Sequence, residues 1–246
     1  MSTLLSVNLN KIALLRNSRG RDYPNLAHFG KRALKMGARG LTLHPRPDQR
    51  HGRYADIAVL KALVAEFEGT ELNIEGNPVD SFMDAVLQTK PDQCTLVPDS
   101  PNQLTSDHGY DLDQDTEMLK PIIGRLKEQG IRVSIFMDPI AENMAKAKRA
   151  GADRVELYTE SWARAFGSDQ EDYVYQQLEQ ATKAAVEAGL GVNAGHDLNL
   201  ENLPRLLQIG QIDEVSIGHA LIVEALDQGF DPVVSQYVKL TKTGGR

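Results

Sequence analysis

The chain has 246 residues, is 41% hydrophobic and 25% charged, and carries a formal net charge of −7 at pH 7. That balance fits a folded globular protein and argues against a nucleic-acid surface. No apolar run approaches the ~18 residues of a membrane helix, Met1 to Arg16 lacks the basic-then-apolar order of a signal peptide, and the lone Cys94 has no internal disulfide partner, which fits a reducing cytoplasm.

Short β-type runs alternate with helical ones. Strands are expected at Leu4–Leu9, Gly40–His44, Glu71–Glu75, Gln93–Val97, Arg132–Asp138, Arg154–Thr159, Leu190–Ala194 and Glu214–Ile217. Amphipathic helix patterns fill the gaps, at 56–64, 141–150 and 173–188 among others. Met36-Gly37-Ala38-Arg39 and Ala150-Gly151-Ala152-Asp153 close helices with glycine before the next strand. Strand and helix alternating this often predict an α/β fold, a single-domain (β/α)8 barrel over residues 1–246. The rival is an open doubly wound sheet, and the lack of Gly-x-Gly-x-x-Gly after the first strand weakens its dinucleotide-binding version. Two long connections, 16–24 and 98–112, would lie on the catalytic rim, and the second is a candidate lid. The tail 241–246 is expected to fray.

Two strands end in the same phrase, Val192-Asn193-Ala194-Gly195-His196 and Val215-Ser216-Ile217-Gly218-His219. A glycine at a strand end lets a ligand approach the backbone, and a following helix offers free N–H groups to an anion. The loops after strands seven and eight are where barrels commonly hold phosphate. Strand ends also supply Asn8, His44, Glu75, Asp138 and Asn193. Glu75 near a partly desolvated rim is a candidate general base, because burial raises a carboxyl pKa toward neutrality. Glu156, inside strand six, is costly unless paired: it either points into the lumen and meets a cation, the favoured reading, or faces the helices and is paired there.

Arg16, Arg19, Arg21, Arg46, Arg50, His51 and Arg53 gather after strands one and two. Of these, Arg19, Arg46 and His51 are the candidate phosphate ligands, with Lys11 adding charge. The chain lacks His-x-His after strand one, His-Glu-x-x-His and Cys-x-x-Cys, so no metal is expected. Gly-x-Ser-x-Gly and a strand-end Schiff-base lysine are also absent. A phosphosugar isomerase or aldolase, or a catalytically silent metabolite sensor, remains open on these residues alone.

Taken in order, 7–20, 43–51, Asn73-Ile74-Glu75, Thr89-Lys90-Pro91, Leu96-Val97-Pro98, 192–196 and Ile217-Gly218-His219-Ala220 resemble the pyridoxine 5′-phosphate synthase family of vitamin B6 synthesis. The resemblance implies a homo-oligomeric (often octameric) cytoplasmic barrel enzyme. It would join 3-amino-2-oxopropyl phosphate to 1-deoxy-D-xylulose 5-phosphate without cofactor or metal, with no nucleic-acid or membrane partner. It implies His44 and Glu75 as proton acceptors, His196 as a proton donor and Glu156 as a stabiliser of cationic species. Asn8, Arg19, Asp197, Gly218 and His219 would hold the aminoketone phosphate. Arg46, His51 and Thr105, with Asn10 and Lys11, would hold the sugar phosphate. Asn10-Lys11 departs from the family's commoner Asp-His, and Gly195-His196-Asp197 from its usual Gly-His-Gly.

Overall fold

Each strand buries both faces, and the two faces differ in chemistry. Alternate residues such as Leu5, Val7, Leu41, Leu43, Leu72, Ile74, Val133, Ile135, Val155, Leu157, Val192 and Ala194 are apolar and almost wholly buried. Strands wrapped by helices need an unbroken apolar outer face. The intervening residues include Ser6, Thr42, Asn73, Thr95, Ser134, Glu156, Asn193 and Glu214, also buried. A period of two sends these to the other face, the lumen.

The computed structural model describes residues 3–100 and 103–243. In chain order the elements are β1 (Leu4–Asn8), α1 (Asn10–Asn17), α2 (Leu26–Lys35), β2 (Gly40–Leu43), α3 (Tyr54–Val64), β3 (Glu71–Gly76), α4 (Asp80–Thr89) and β4 (Gln93–Leu96). There follow α5 (Thr116–Glu128), β5 (Arg132–Met137), α6 (Ala141–Ala150), β6 (Arg154–Tyr158), α7 (Glu160–Ala165), α8 (Glu171–Glu187) and β7 (Gly191–Gly195). The last are α9 (Leu203–Leu206) with a 3-10 turn at Leu207–Ile209, β8 (Glu214–Ile217), α10 (His219–Gln228) and α11 (Phe230–Thr243). The strands pair in sequence order, all parallel, and β8 closes on β1 through Leu4 opposite Glu214 and Val7 opposite Ile217. The expected (β/α)8 barrel is present, and the open sheet is excluded by that closure.

Most barrels fill their lumen with branched apolar side chains; this one uses polar ones. Ser6 Oγ meets Thr42 Oγ1 at 2.7 Å, and Thr95 Oγ1 donates to Asn73 Oδ1 at 3.0 Å. At the N-terminal end Arg132 bridges Glu71 and Gln93, while Arg154 donates to Asn193 Oδ1 at 2.9 Å and stands 3.7 Å from Glu214. One expectation changes. Thr241 is buried inside α11, which packs on β1, so the tail is part of the fold through Thr243; residues 244–246 lie outside the described residues. The candidate lid 98–112 is described apart from 101 and 102. Its far end is tied down by Tyr110, whose N–H donates to Phe136 O (3.0 Å) and whose hydroxyl donates to Val97 O (3.0 Å).

Candidate active site

The C-terminal ends of the strands open into a cavity of about 440 Å³. Side-chain to main-chain bonds set its rim. Asn8 Oδ1 accepts from the N–H of Asn10 (3.0 Å) at the start of α1, and Asn10 Oδ1 accepts from the N–H of His44 (2.9 Å), tying the ends of β1 and β2 together. Two glycines make room for neighbours. A Cβ on Gly195 would stand 2.4 Å from Glu156 Oε1, and one on Gly218 would stand 3.0 Å from Asn8 Cβ. The glycine at each strand end therefore admits a functional side chain from the adjacent strand, beyond any approach by a ligand.

The floor of the cavity holds ionisable groups kept neutral. Burial, reinforced by Asp99 and Glu214, pushes Glu75 up to about 8, and Arg46 opposes this. Burial, with Glu75 and Glu214 as neighbours, raises Glu156 well above the ordinary carboxyl range. Its Oε2 lies 3.4 Å from Thr95 Oγ1. Glu156 thus points into the lumen as expected, but the hydrogen bonds and ion pairs of the described residues give it no cationic partner; desolvation is met by protonation instead. His44 Nδ1 lies 3.9 Å from Glu75 Oε2. Burial first, then Arg46, His51, His196 and Arg50, hold His44 well below the ordinary imidazole value. His51 is lowered to about 4 by burial and by Arg46 and Arg50. His196 is lowered chiefly by burial. His44, His51 and His196 are therefore favoured as neutral imidazoles.

Around this floor stand the cations. Lys11, Arg46 and Arg50 line one side, with the neutral His51, Thr105 and Ser106; Asn8, Asp197, Gly218 and His219 line the other. Arg46 is not free: it is ion-paired with Asp99, almost wholly buried, whose Oδ2 also accepts from Ser106 Oγ at 2.7 Å. Arg50 donates to the carbonyls of Gln103 (2.6 Å) and Leu104 (2.8 Å), holding the loop after β4 against the loop after β2. Arg16 is buried in a bidentate pair with Asp56 at 2.7 and 2.8 Å. Beside it Asn17 Nδ2 donates to the carbonyl of His51 at 2.7 Å. The end of α1 therefore clamps the loop that carries His51.

The structure brings His44, Glu75, Glu156, His196, Asn8, Asn10, Lys11, Arg46, His51, Thr105, Asp197, Gly218 and His219 to one cavity. It does not bring Arg19 there. Arg19 lies in the exposed turn that ends α1, because the helix carries the chain away from the mouth. Asp138 also stays outside the lining and accepts from Gly109 N at 3.3 Å. Asn193 sits deeper in the lumen with Arg154. Sequence reasoning missed Asp99 and Ser106, which orient Arg46. It also missed Phe136 and Tyr158, whose rings lie 5.1 and 5.2 Å from that of His196. The alternation of polar residues along β5 and β6 was the available signal, since it places Phe136 and Tyr158 on the lumen face.

His196 and Asp197 carry positive φ, +86° and +56°. Asp is tolerated in the left-handed region better than most residues, so Asp197 fits a backbone conformation that favours glycine. Among the described residues no three His, Cys, Asp or Glu side chains are grouped to hold a metal ion, and no helix is long and apolar enough to cross a membrane.

Fold and site together define a (β/α)8-barrel enzyme, with neutral acids and bases on the cavity floor and cations on its rim. The family described as "Pyridoxal phosphate biosynthesis protein PdxJ" matches residues 5–243, and the chain belongs to that family. It is 50% identical over 241 residues to a pyridoxine 5′-phosphate synthase of Christiangramia forsetii, covering 98% of this chain and 100% of that protein. To a pyridoxine 5′-phosphate synthase of Brucella abortus it is 48% identical over 245 residues, covering 97% and 98%. Among solved structures, "Native KDPGal structure" superposes with a TM-score of 0.62 at 15% identity, covering 98% of this chain and 95% of that one. A putative fructose-1,6-biphosphate aldolase from Coccidioides immitis gives 0.58 at 10% identity, covering 98% and 87%. At such identities these two reflect the shared fold alone.

Proposed function

We propose that the chain condenses 3-amino-2-oxopropyl phosphate with 1-deoxy-D-xylulose 5-phosphate, giving pyridoxine 5′-phosphate, inorganic phosphate and water. The observation that carries the reading is the packing of Glu75, His44, Glu156 and His196 around one cavity, in a family whose relatives bear the synthase name. Imine formation, phosphate loss, aldol-type closure and dehydration are each proton transfers, and several weak acids and bases in one desolvated cavity suit such a sequence.

His44 and Glu75 act as proton acceptors in this reading. Neutral His44 has a free lone pair at pH 7, and Glu75, poised at about 8, can both give and take a proton. His196 serves as proton donor. Glu156 meets the cation that the protein itself does not supply: an iminium formed from the substrates lies over the carboxyl and favours its ionised form. Arg46, His51 and Thr105, with Asn10 and Lys11, take the sugar phosphate. Asn8, Gly218 and His219, with the backbone N–H of Asp197, take the aminoketone phosphate, and N–H groups at the start of α10 face the anion. Arg19 joins them only if the turn after α1 or a neighbouring subunit delivers it. The enzyme would work in the cytoplasm as a homo-oligomer, with no cofactor or metal in the reaction. Incubation with both substrates should yield pyridoxine 5′-phosphate and phosphate in equal amounts. Failure to form either product from the folded protein overturns the reading.

A further inference from the structure

His196 is the least securely placed of the floor residues by its own backbone. It follows the last residue of β7, outside the strand, and its φ of +86° lies where non-glycine residues are strained. Such a conformation persists only where the surroundings determine it. The surroundings here come from β5, β6 and the residue after β6.

Thr159 is wholly buried directly behind the turn. Its N–H donates to the carbonyl of Gly195 at 2.9 Å. Its Oγ1 lies 2.7 Å from the same carbonyl and 2.6 Å from that of His196. One hydroxyl proton is thus shared between two successive carbonyls, which ties down the peptide planes on either side of the His196 Cα. In front, the imidazole is held between two rings. Phe136 lies 5.1 Å away, tilted by 55°, and Tyr158 lies 5.2 Å away, edge-on at 79°. The two rings also contact each other at 5.3 Å, so they form one wall. Edge-to-face packing of this kind is attractive and directional.

We propose that Thr159, Phe136 and Tyr158 are positioning residues that fix the His196 imidazole in the cavity, Thr159 through the backbone and the two rings through the side chain. The proposal rests on the reading of His196 as a proton-transfer group. The charged and titratable groups around His196 are Glu156 beneath Gly195, the adjacent Asp197, Asp99 and Arg46 from the loops after β4 and β2, His44, and Tyr158 through its ring. Removing the cradle leaves these charges in place and frees the ring to turn toward water.

Isosteric replacement separates positioning from packing. Thr159→Val keeps the shape and loses the donor. It should lower kcat by roughly 10–100-fold, the scale of a misplaced catalytic group, while KM for both substrates stays within about twofold. Thr159→Ser keeps the donor and should restore most of the loss. In NMR titrations followed at the imidazole C2 proton, without substrate, His196 should titrate at higher pH in Thr159→Val than in the wild type. Tyr158→Leu, at a half-buried site that tolerates the change, should shift the same resonance and lower kcat, and Tyr158→Phe should do neither. If Thr159→Val does not fold, the Tyr158 pair decides. Wild-type turnover and titration in Thr159→Val or Tyr158→Leu would overturn the proposal, as would Thr159→Ser failing as badly as Thr159→Val. Absence of turnover in the wild type would overturn the functional reading instead, and the substrate-free titration would still judge the cradle.

Discussion

His44 Nδ1 and Glu75 Oε2 stand 3.9 Å apart, both buried in the floor of the barrel mouth. Burial dominates both groups, lowering the imidazole and raising the carboxyl to about 8, so a neutral base faces a largely protonated acid. In water, acid and imidazole of these types would exchange the proton and pair; inside the barrel the cost of two desolvated charges exceeds their attraction.

This relationship sets a pH profile. If ionised Glu75 is the acceptor in the slow step, kcat/KM should rise with pH through about 8. Glu75→Gln should remove that limb and lower turnover by roughly 10²–10⁴-fold with the fold retained. A pH–rate series on both proteins checks this; a folded Glu75→Gln variant with normal turnover removes Glu75 from the mechanism.

Glu156 should cost stability in exchange for function. Its folded pKa is raised, so its contribution is favourable below the unfolded carboxyl value near 4.5 and is lost as pH rises toward the folded value. Glu156→Gln keeps the shape. It should raise Tm at pH 8 by on the order of 5 °C, scarcely change it near pH 4, and abolish most turnover. Thermal melts across that range test the sign; equal melting shifts at both pH values would show that the carboxyl is not titrating as described.

Asp197 holds a left-handed backbone at the edge of the candidate anion site. Asp197→Gly relaxes the φ requirement and removes a carboxylate from beside an anion. The expected result is unchanged melting to within about 1 kcal/mol and a lower KM for the aminoketone phosphate. Asp197→Val, branched at a positive φ, should destabilise by roughly 1–3 kcal/mol. Denaturant curves and steady-state kinetics read both.

Lys11 lines the cavity beside His51 and Arg46. Lys11→Ala should raise KM for the sugar phosphate about tenfold with little change in kcat, because such a contact is made in ground and transition states alike. Lys11→His should recover part of the affinity. An unchanged KM in Lys11→Ala would make Lys11 a solvated surface charge.

Arg16 and Asp56 form a bidentate pair with side-chain exposures of 4% and 13%. Breaking it from one side strands a charge, so Asp56→Ala should cost about 3–5 kcal/mol. Because the adjacent Asn17 carries the His51 loop, sugar phosphate binding should weaken in parallel. Urea unfolding with the same binding assay checks the coupling.

The order of the elements and their parallel closure were legible in the chain, since alternating β and α periods with short glycine-ended turns leave few topologies open. The strand ends were legible too. In a barrel they all reach one mouth, so His44, Glu75, His196 and Gly218 could be gathered without coordinates. The floor chemistry was partly legible: a carboxylate inside a strand was expected to face the lumen in preference to the helices, and Glu156 does.

What the sequence could not decide was the partner of each charge, because pairing depends on distances between loops remote along the chain. Of the arginines after β1 and β2, only tertiary packing separates Arg16, spent on Asp56, from Arg46, held by Asp99 from the loop after β4, and both from Arg19, left in solvent. The cation expected for Glu156 is missing among its contacts for the same reason: composition cannot say whether a buried acid will be paired or protonated. The outcome depends on how completely the lumen is desolvated, and desolvation is a property of the closed barrel, which no single strand possesses.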